Sequence, residues 1–145
     1  MLKWFRGGPP PHQTALAMIG AKPGDRVLFV GRPDPPLAGA VAAITGLNGQ
    51  TLAATQPDQR ARFETAAAEA GALIDVADLA ADDTSFVPHG LTELDVVVLT
   101  TDLARLETNA RITLARDAMQ VLRPGGRLIV IYGQKKTLLR SAPPT

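Results

Sequence analysis

Cysteine is absent from this chain of 145 residues. Its absence excludes disulfide bonds, zinc–thiolate and iron–sulfur sites, and a cysteine nucleophile. The chain has only two histidines, and both His12 at a helix start and His89 in a Pro-His-Gly turn are typical of solvated side chains. Asp82 and Asp83 are adjacent in a polar loop, where two carboxylates point apart. We therefore expect no metal site and identify no catalytic residue.

An excess of one charge and long apolar runs are lacking as well. Fifteen basic and 14 acidic residues give a formal net charge of +1, which offers no reason to expect a nucleic-acid partner. The longest apolar stretches, 94–99 and 128–132, are far shorter than the roughly 18 residues that span a membrane. The first residues also lack the apolar core of a signal peptide. We expect a cytoplasmic protein that contacts neither nucleic acid nor membrane.

The length suits one domain with a short segment on either side. Residues 1–11 are predicted to form an N-terminal arm, because Trp4 and Phe5 are followed by two glycines and three prolines that stop regular structure. The two aromatic side chains suit packing on the domain or on a partner better than holding a membrane surface. Residues 12–133 are predicted to form the domain, and residues 134–145 a C-terminal tail.

Short apolar runs alternate with helical patterns throughout the predicted domain. Nearly continuous apolar runs favour strands that are buried on both faces of a parallel sheet. The predicted helices are 12–19, 37–45, 58–70 (capped by Asp58) and 108–122, and the predicted strands are 26–31, 51–55, 73–76, 95–99 and, after a tight turn at 123–126, 127–132. This alternation predicts a Rossmann-like α/β fold, an open parallel sheet of about five strands with helices on both faces.

Three stretches carry a resemblance to a known family. They are KPGDRVLFVG (22–31), LDVVV (94–98) and ARDAMQVLRPGGRLIVIYG (115–133), of which the third is the most specific. In these stretches the chain resembles the class I S-adenosylmethionine-dependent methyltransferases. The resemblance implies their fold and their cofactor, S-adenosylmethionine. It also implies that the closing hairpin of that family is missing, because only a short tail follows the fifth strand.

The loop after the first strand departs from the family pattern. Members of the family usually show an acidic residue and then Gly-x-Gly-x-Gly, and the matching run here has Phe29 at the acid, Gly31 at the first glycine, and Pro33 and Pro35 at the other two. Proline fixes φ and lacks the N–H that a ligand could use, so this run argues against ordinary cofactor binding. Gly31 and the loop residue Asp34 remain candidate cofactor-binding residues.

The ends of the next two strands supply the other candidates. The resemblance places Thr55 where the family has an acid that holds the ribose hydroxyls, with Gln56 beside it. A charged bidentate acceptor is stronger than these neutral groups, and Asp58 comes three residues late. Asp78 matches the acidic residue with which members of the family often contact the adenine amino group.

Two hypotheses for function follow from these departures. The base-modifying members of the family carry an Asn-Pro-Pro-Tyr motif after the fourth strand, where this chain has Thr100-Thr101-Asp102. The first hypothesis is a non-catalytic methyltransferase-fold protein that acts through protein contacts or binds an altered small-molecule ligand. The alternative is an active S-adenosylmethionine-dependent methyltransferase that acts on a small molecule. The missing hairpin further predicts an exposed sheet edge that pairs with a protein partner or with a second copy of the chain.

Overall fold

A computed structural model describes residues 11–78, 91–100 and 107–131 of the chain. The helices are α1 (Pro11–Ile19), α2 (Pro35–Thr45), α3 (Arg60–Ala70) and α4 (Thr108–Val121), and the strands are β1 (Arg26–Val30), β2 (Gln50–Thr55), β3 (Asp75–Asp78), β4 (Leu94–Leu99) and β5 (Leu122–Val130). A single 3₁₀ turn, Pro57–Gln59, precedes α3. Residues 1–10 of the predicted arm, Asp82, Asp83, His89 and the predicted tail lie outside the described residues, whereas Pro11, predicted to end the arm, is the first residue of α1.

The five strands form one parallel sheet in the order β3-β2-β1-β4-β5. This arrangement confirms the predicted Rossmann-like α/β fold. The strand order reverses between β1 and β4, because the chain moves outward from β1 to β3 and then returns to the other side of β1. In open α/β sheets, ligands bind in the crevice beside the carboxyl ends of the strands at such a reversal.

Both faces of the sheet are covered by helices, as predicted. Alternate residues of β1 point to opposite faces, so Val27 and Phe29 join one buried cluster while Leu28 and Val30 join another. The first cluster packs against α1, α2 and α3, and the second packs against α4. Burial on both faces explains why β1 and β4 are apolar runs without alternation.

Helices α2 and α3 pack closely because small residues lie between them. A Cβ atom on Gly39 would lie 2.9 Å from the Ala66 carbonyl oxygen, closer than real Cβ contacts. The glycine is therefore required for the approach of the two helices.

Two predictions about α3 and the strand that follows it were wrong. Asp58 does not cap α3, because Pro57 starts a 3₁₀ turn and Gln59 then precedes the helix without a side-chain cap. Strand β3 begins at Asp75 rather than at residue 73, because the left-handed Gly71 cap draws the Ala72 N–H back to helix α3.

The predicted turn at 123–126 lies within β5 instead of before it. Leu94 pairs with Leu122 and Val96 pairs with Arg127, so β5 advances by five residues while β4 advances by two. The extra residues form a bulge, with Gly125 at a φ of 84°.

Polar side chains at the amino ends of the strands are hydrogen-bonded in a row across the sheet. On β3 and β2, the Gln50 side-chain amide group donates to Asp75 (2.9 Å), and the Arg26 guanidinium of β1 donates to the side-chain oxygen Oε1 of Gln50 (3.3 Å). On the other side of β1, Asp95 of β4 accepts hydrogen bonds from the Arg26 backbone N–H (2.8 Å) and from the Arg123 side chain. All five strands thus contribute to this row.

The variant Asp95→Asn should lower the free energy of unfolding near pH 7 by about 1.5 kcal/mol, the lower end for hydrogen bonds to charged groups, because this carboxylate is partly solvated. Burial alone raises the pKa of Asp95, but the Arg26 N–H and the hydrogen bond and charge of Arg123 outweigh it and lower the pKa. This stabilisation is therefore present above the unfolded pKa of about 3.9 and is lost as pH falls through the folded value.

Urea unfolding of the parent protein and the Asp95→Asn variant at neutral and at strongly acidic pH measures this effect. The difference in unfolding free energy between the two proteins should shrink toward zero in acid. An equal difference at both pH values would show that Asp95 acts through packing and not through its charge.

Candidate functional site

The carboxyl ends of four neighbouring strands form the candidate site. Gly31, Thr55 and Thr100 end or directly follow β1, β2 and β4, and Asp78 is the last residue of β3. Thr55 and Asp78 are paired neighbours across β2 and β3. The sheet therefore brings three of the predicted cofactor-binding residues to one edge, beside the point where the strand order reverses.

The loop after β1 is anchored at both of its ends. Gly31 has a φ of 109°, a conformation that favours glycine, and its N–H donates to the Ala54 carbonyl at 3.3 Å. Pro33 is buried, whereas Asp34 is exposed. The Asp34 side chain makes no capping hydrogen bond to α2, although its backbone carbonyl accepts one from the Ala38 N–H. Pro35 then starts the helix.

Thr55 is fully buried, with an exposed fraction of 0%. Its hydroxyl donates a hydrogen bond of 3.1 Å to the Gly31 carbonyl oxygen. The contact links the end of β2 to the loop after β1. The threonine hydroxyl therefore contacts the chain's own backbone and positions that loop.

Gln56 and Asp78 lie at the β2–β3 side of the site. Gln56 is half-buried, and its carbonyl accepts the Gln59 N–H of the 3₁₀ turn. The Asp78 carboxylate forms an ion pair with Arg60 at 3.0 Å, and both side chains are more than two fifths exposed (46% and 43%). Arg60 also donates to the Val76 carbonyl at 3.2 Å, which fixes the guanidinium along β3. The Asp78 carboxylate thus already has a cationic partner.

Thr100, which the sequence indicated only as part of a missing motif, lies at the same edge as the predicted residues. Its N–H and its hydroxyl both donate to the Val30 carbonyl oxygen, at 2.9 and 2.8 Å. This double contact ties β4 to β1 at the reversal point. A threonine directly after a buried strand is the signal that could have identified it, because polar residues there lie at the ligand-binding edge.

Phe29 lies in the core and not at the site edge. Its side chain has an exposed fraction of 0% and belongs to the cluster beneath α1, α2 and α3. The aromatic ring at the position of the family's acid therefore serves the packing of the sheet.

The described residues contain neither a cluster of metal-ligating side chains nor a membrane-spanning helix. In residues 11–78, 91–100 and 107–131, no group of three histidine, cysteine or acidic side chains is arranged to hold a metal ion. No helix in these ranges is long and apolar enough to cross a membrane.

Comparison with known proteins gives similarity in structure only. No family profile matches the chain, and no curated protein matches it in sequence. Among solved structures, the S-adenosylmethionine-dependent methyltransferase SibL has a TM-score of 0.65 at 24% identity, over 83% of this chain and 34% of its own. TrmN from Thermus thermophilus has a TM-score of 0.61 at 23% identity, over 92% of this chain and 40% of its own.

A third structure extends the comparison at lower identity. The S-adenosylmethionine-dependent O-methyltransferase of Thermotoga maritima has a TM-score of 0.66 at 16% identity, over 92% of this chain and 48% of its own. This chain therefore spans less than half the length of each of these three proteins. Together with the strand order, the similarity shows that this chain has the fold of the class I S-adenosylmethionine-dependent methyltransferases.

Proposed function

We propose that this protein is a non-catalytic member of the methyltransferase fold, which acts through protein contacts or through an altered small-molecule ligand. The observation that carries the proposal is the loop after β1, where Pro33 is buried and Gly31 is hydrogen-bonded to both Ala54 and Thr55. A cofactor bound at this edge would need close approach to that loop and free N–H groups from it.

Two positions of the loop lack a backbone N–H that a ligand carboxylate could use. Pro33 and Pro35 have no N–H, and each restricts the residue before it to extended conformations. Arg32 and Asp34, the residues that precede these prolines, are exposed. These residues do not fit the amino-acid portion of S-adenosylmethionine as the resemblance implies it.

The ribose and adenine positions support the same conclusion. The Thr55 hydroxyl is neutral, fully buried and bonded to Gly31, so it is a poor substitute for a carboxylate that grips two hydroxyls. Asp78 keeps its carboxylate, but Arg60 occupies one of its oxygens. No reaction step through S-adenosylmethionine follows from this arrangement.

Calorimetric titration of the whole chain with S-adenosylmethionine tests the proposal. We expect no heat of binding at micromolar concentrations of protein and ligand. Micromolar binding would favour the alternative, an active methyltransferase that acts on a small molecule, and would overturn the non-catalytic proposal.

We further propose that the protein associates with itself through strand β5. This strand is at one edge of the sheet, and among the described residues no strand pairs with its outer side. Leu128, Ile129, Val130 and Ile131 are only partly buried there. An edge with free backbone groups and apolar side chains is a template for pairing with another chain.

Solution mass, measured by light scattering, tests this association with one variant. The Ile131 N–H donates to Leu99, so the alternation along a strand turns the Val130 N–H outward. Val130→Pro removes that outward donor, and it should convert a dimer into a monomer, whereas Val130→Ala should stay dimeric. A parent protein that is strictly monomeric at all concentrations would contradict the proposal.

A further inference from the structure

A small open cavity lies at the amino edge of the sheet, at the opposite end of the strands from the candidate site. It has a volume of about 160 Å³ and is bounded by the C-terminal ends of α2 and α3 and the first residues of β2 and β3. A cavity of about 150 Å³ holds a molecule the size of benzene. The cavity therefore suits a ligand, or the end of a ligand, of about six heavy atoms.

Two leucines frame the cavity. Leu47 follows the Gly46 end of α2, and Leu73 follows the Gly71 end of α3. Their exposed fractions, 89% and 73%, are the largest among the large apolar side chains of the described residues. Apolar side chains held in water beside a cavity offer contacts to an aliphatic group that enters it.

The electrostatics of the cavity favour a cation. Both α2 and α3 end at it, and the C-terminus of a helix carries a partial negative charge. Neither helix has a basic residue in its last turn that would offset this charge. Asp75 adds a carboxylate to the cavity wall, where it accepts a hydrogen bond from the Gln50 amide.

The Arg26 guanidinium reaches the cavity-lining residue Gln50, and it is directed away from the Asp75 carboxylate. The Arg26 guanidinium donates to the side-chain oxygen Oε1 of Gln50, while the side-chain nitrogen Nε2 of the same glutamine donates to Asp75. Arg26 also donates to the Thr92 carbonyl at 2.8 Å, which directs it toward β4. Gln50 therefore separates this positive charge from the Asp75 side of the cavity.

We propose that this cavity binds a small aliphatic amine. The ammonium group lies against Asp75 and the ends of the two helices, and the hydrocarbon stem lies between Leu47 and Leu73. The proposal is independent of the proposed function, because the cavity and the candidate site lie at opposite edges of the sheet.

An NMR titration of the ¹⁵N-labelled chain with n-butylammonium chloride tests the proposal, with n-butanol at matched ionic strength as the neutral control. We expect saturable shifts of the backbone amides of residues 46–51 and 71–75. Butylammonium should bind at least about tenfold more tightly than butanol, as expected for one charge-assisted hydrogen bond. Equal affinities, or shifts centred elsewhere, would overturn the proposal.

Two charge-neutralising variants complete the test. Asp75→Asn should weaken butylammonium binding about tenfold and leave butanol binding unchanged, because it removes the charge and keeps the side-chain shape. Glu64→Gln removes an exposed carboxylate from α3 outside the cavity and should change neither affinity. Equal effects of the two variants would contradict a specific ammonium site, since they would reflect only the net charge of the protein.

Discussion

Replacing Phe29 by aspartate is expected to unfold the protein. Phe29 pairs with Ala53 of β2 and Val98 of β4. Its side chain is completely buried in the core cluster under α1, α2 and α3. Truncating a buried phenylalanine to alanine alone costs about 3–5 kcal/mol. An unpaired buried carboxylate adds several kcal/mol, or takes up a proton. The sum is comparable with the total stability of about 5–15 kcal/mol of a typical domain.

Circular dichroism and thermal melting check this result, with Phe29→Leu as the control. The leucine variant keeps an apolar side chain in the core, so we expect it to fold and to lose only about 1.5 kcal/mol. A Phe29→Asp protein that melts cooperatively near the parent temperature would place position 29 outside the core and contradict the packing described above.

Exchanging Pro33 and Pro35 for glycine is expected to create measurable affinity for S-adenosylmethionine, at least about tenfold above the parent protein (about 1.4 kcal/mol). The double variant restores two backbone N–H groups and removes the buried pyrrolidine ring of Pro33. Each exchange also raises the conformational entropy of the unfolded chain, which lowers the free energy of unfolding by about 0.4–1 kcal/mol. The gain should be limited, because Thr55 still lacks the charge of a carboxylate.

A matched control distinguishes the effect of the restored N–H groups from the effect of a more flexible backbone. Pro36 is exposed in the first turn of α2, outside the positions that match the family glycines. Pro36→Gly should therefore leave the affinity unchanged in the same calorimetric titration. If the double variant shows no gain, or if Pro36→Gly shows the same gain, the loop is not the reason for weak binding.

The sheet could be predicted because its central strands are continuous apolar runs. Arg26–Val30 and Leu94–Leu99 are buried on both faces, so their sequences are short apolar runs that show no helical periodicity. The start of β3 could not be predicted, because the apolar side chain of Leu73 is typical of a strand. In the structure Leu73 lies between the Gly71 cap of α3 and the first residue of β3, Asp75. The apolar side chain at this position is exposed, which hydrophobicity alone does not reveal.

The site could be predicted less completely than the fold. The resemblance identified Gly31, Thr55 and Asp78, and the parallel sheet indeed gathers them at one edge. The sequence could not show that the Thr55 hydroxyl turns to the Gly31 carbonyl, or that Arg60 reaches Asp78 from eighteen residues away. These contacts depend on the register of neighbouring strands, so they arise only from the folded arrangement. Whether any of these residues contacts a cofactor stays a prediction.

We propose that the crevice beside the carboxyl ends of β1 and β4 does not hold S-adenosylmethionine. Isothermal titration calorimetry of the unmodified chain with S-adenosylmethionine tests this claim most directly. We predict no saturable binding until the ligand reaches millimolar concentration. Saturable one-to-one binding at micromolar concentration, lost on Asp78→Asn, would contradict the account and favour an active methyltransferase.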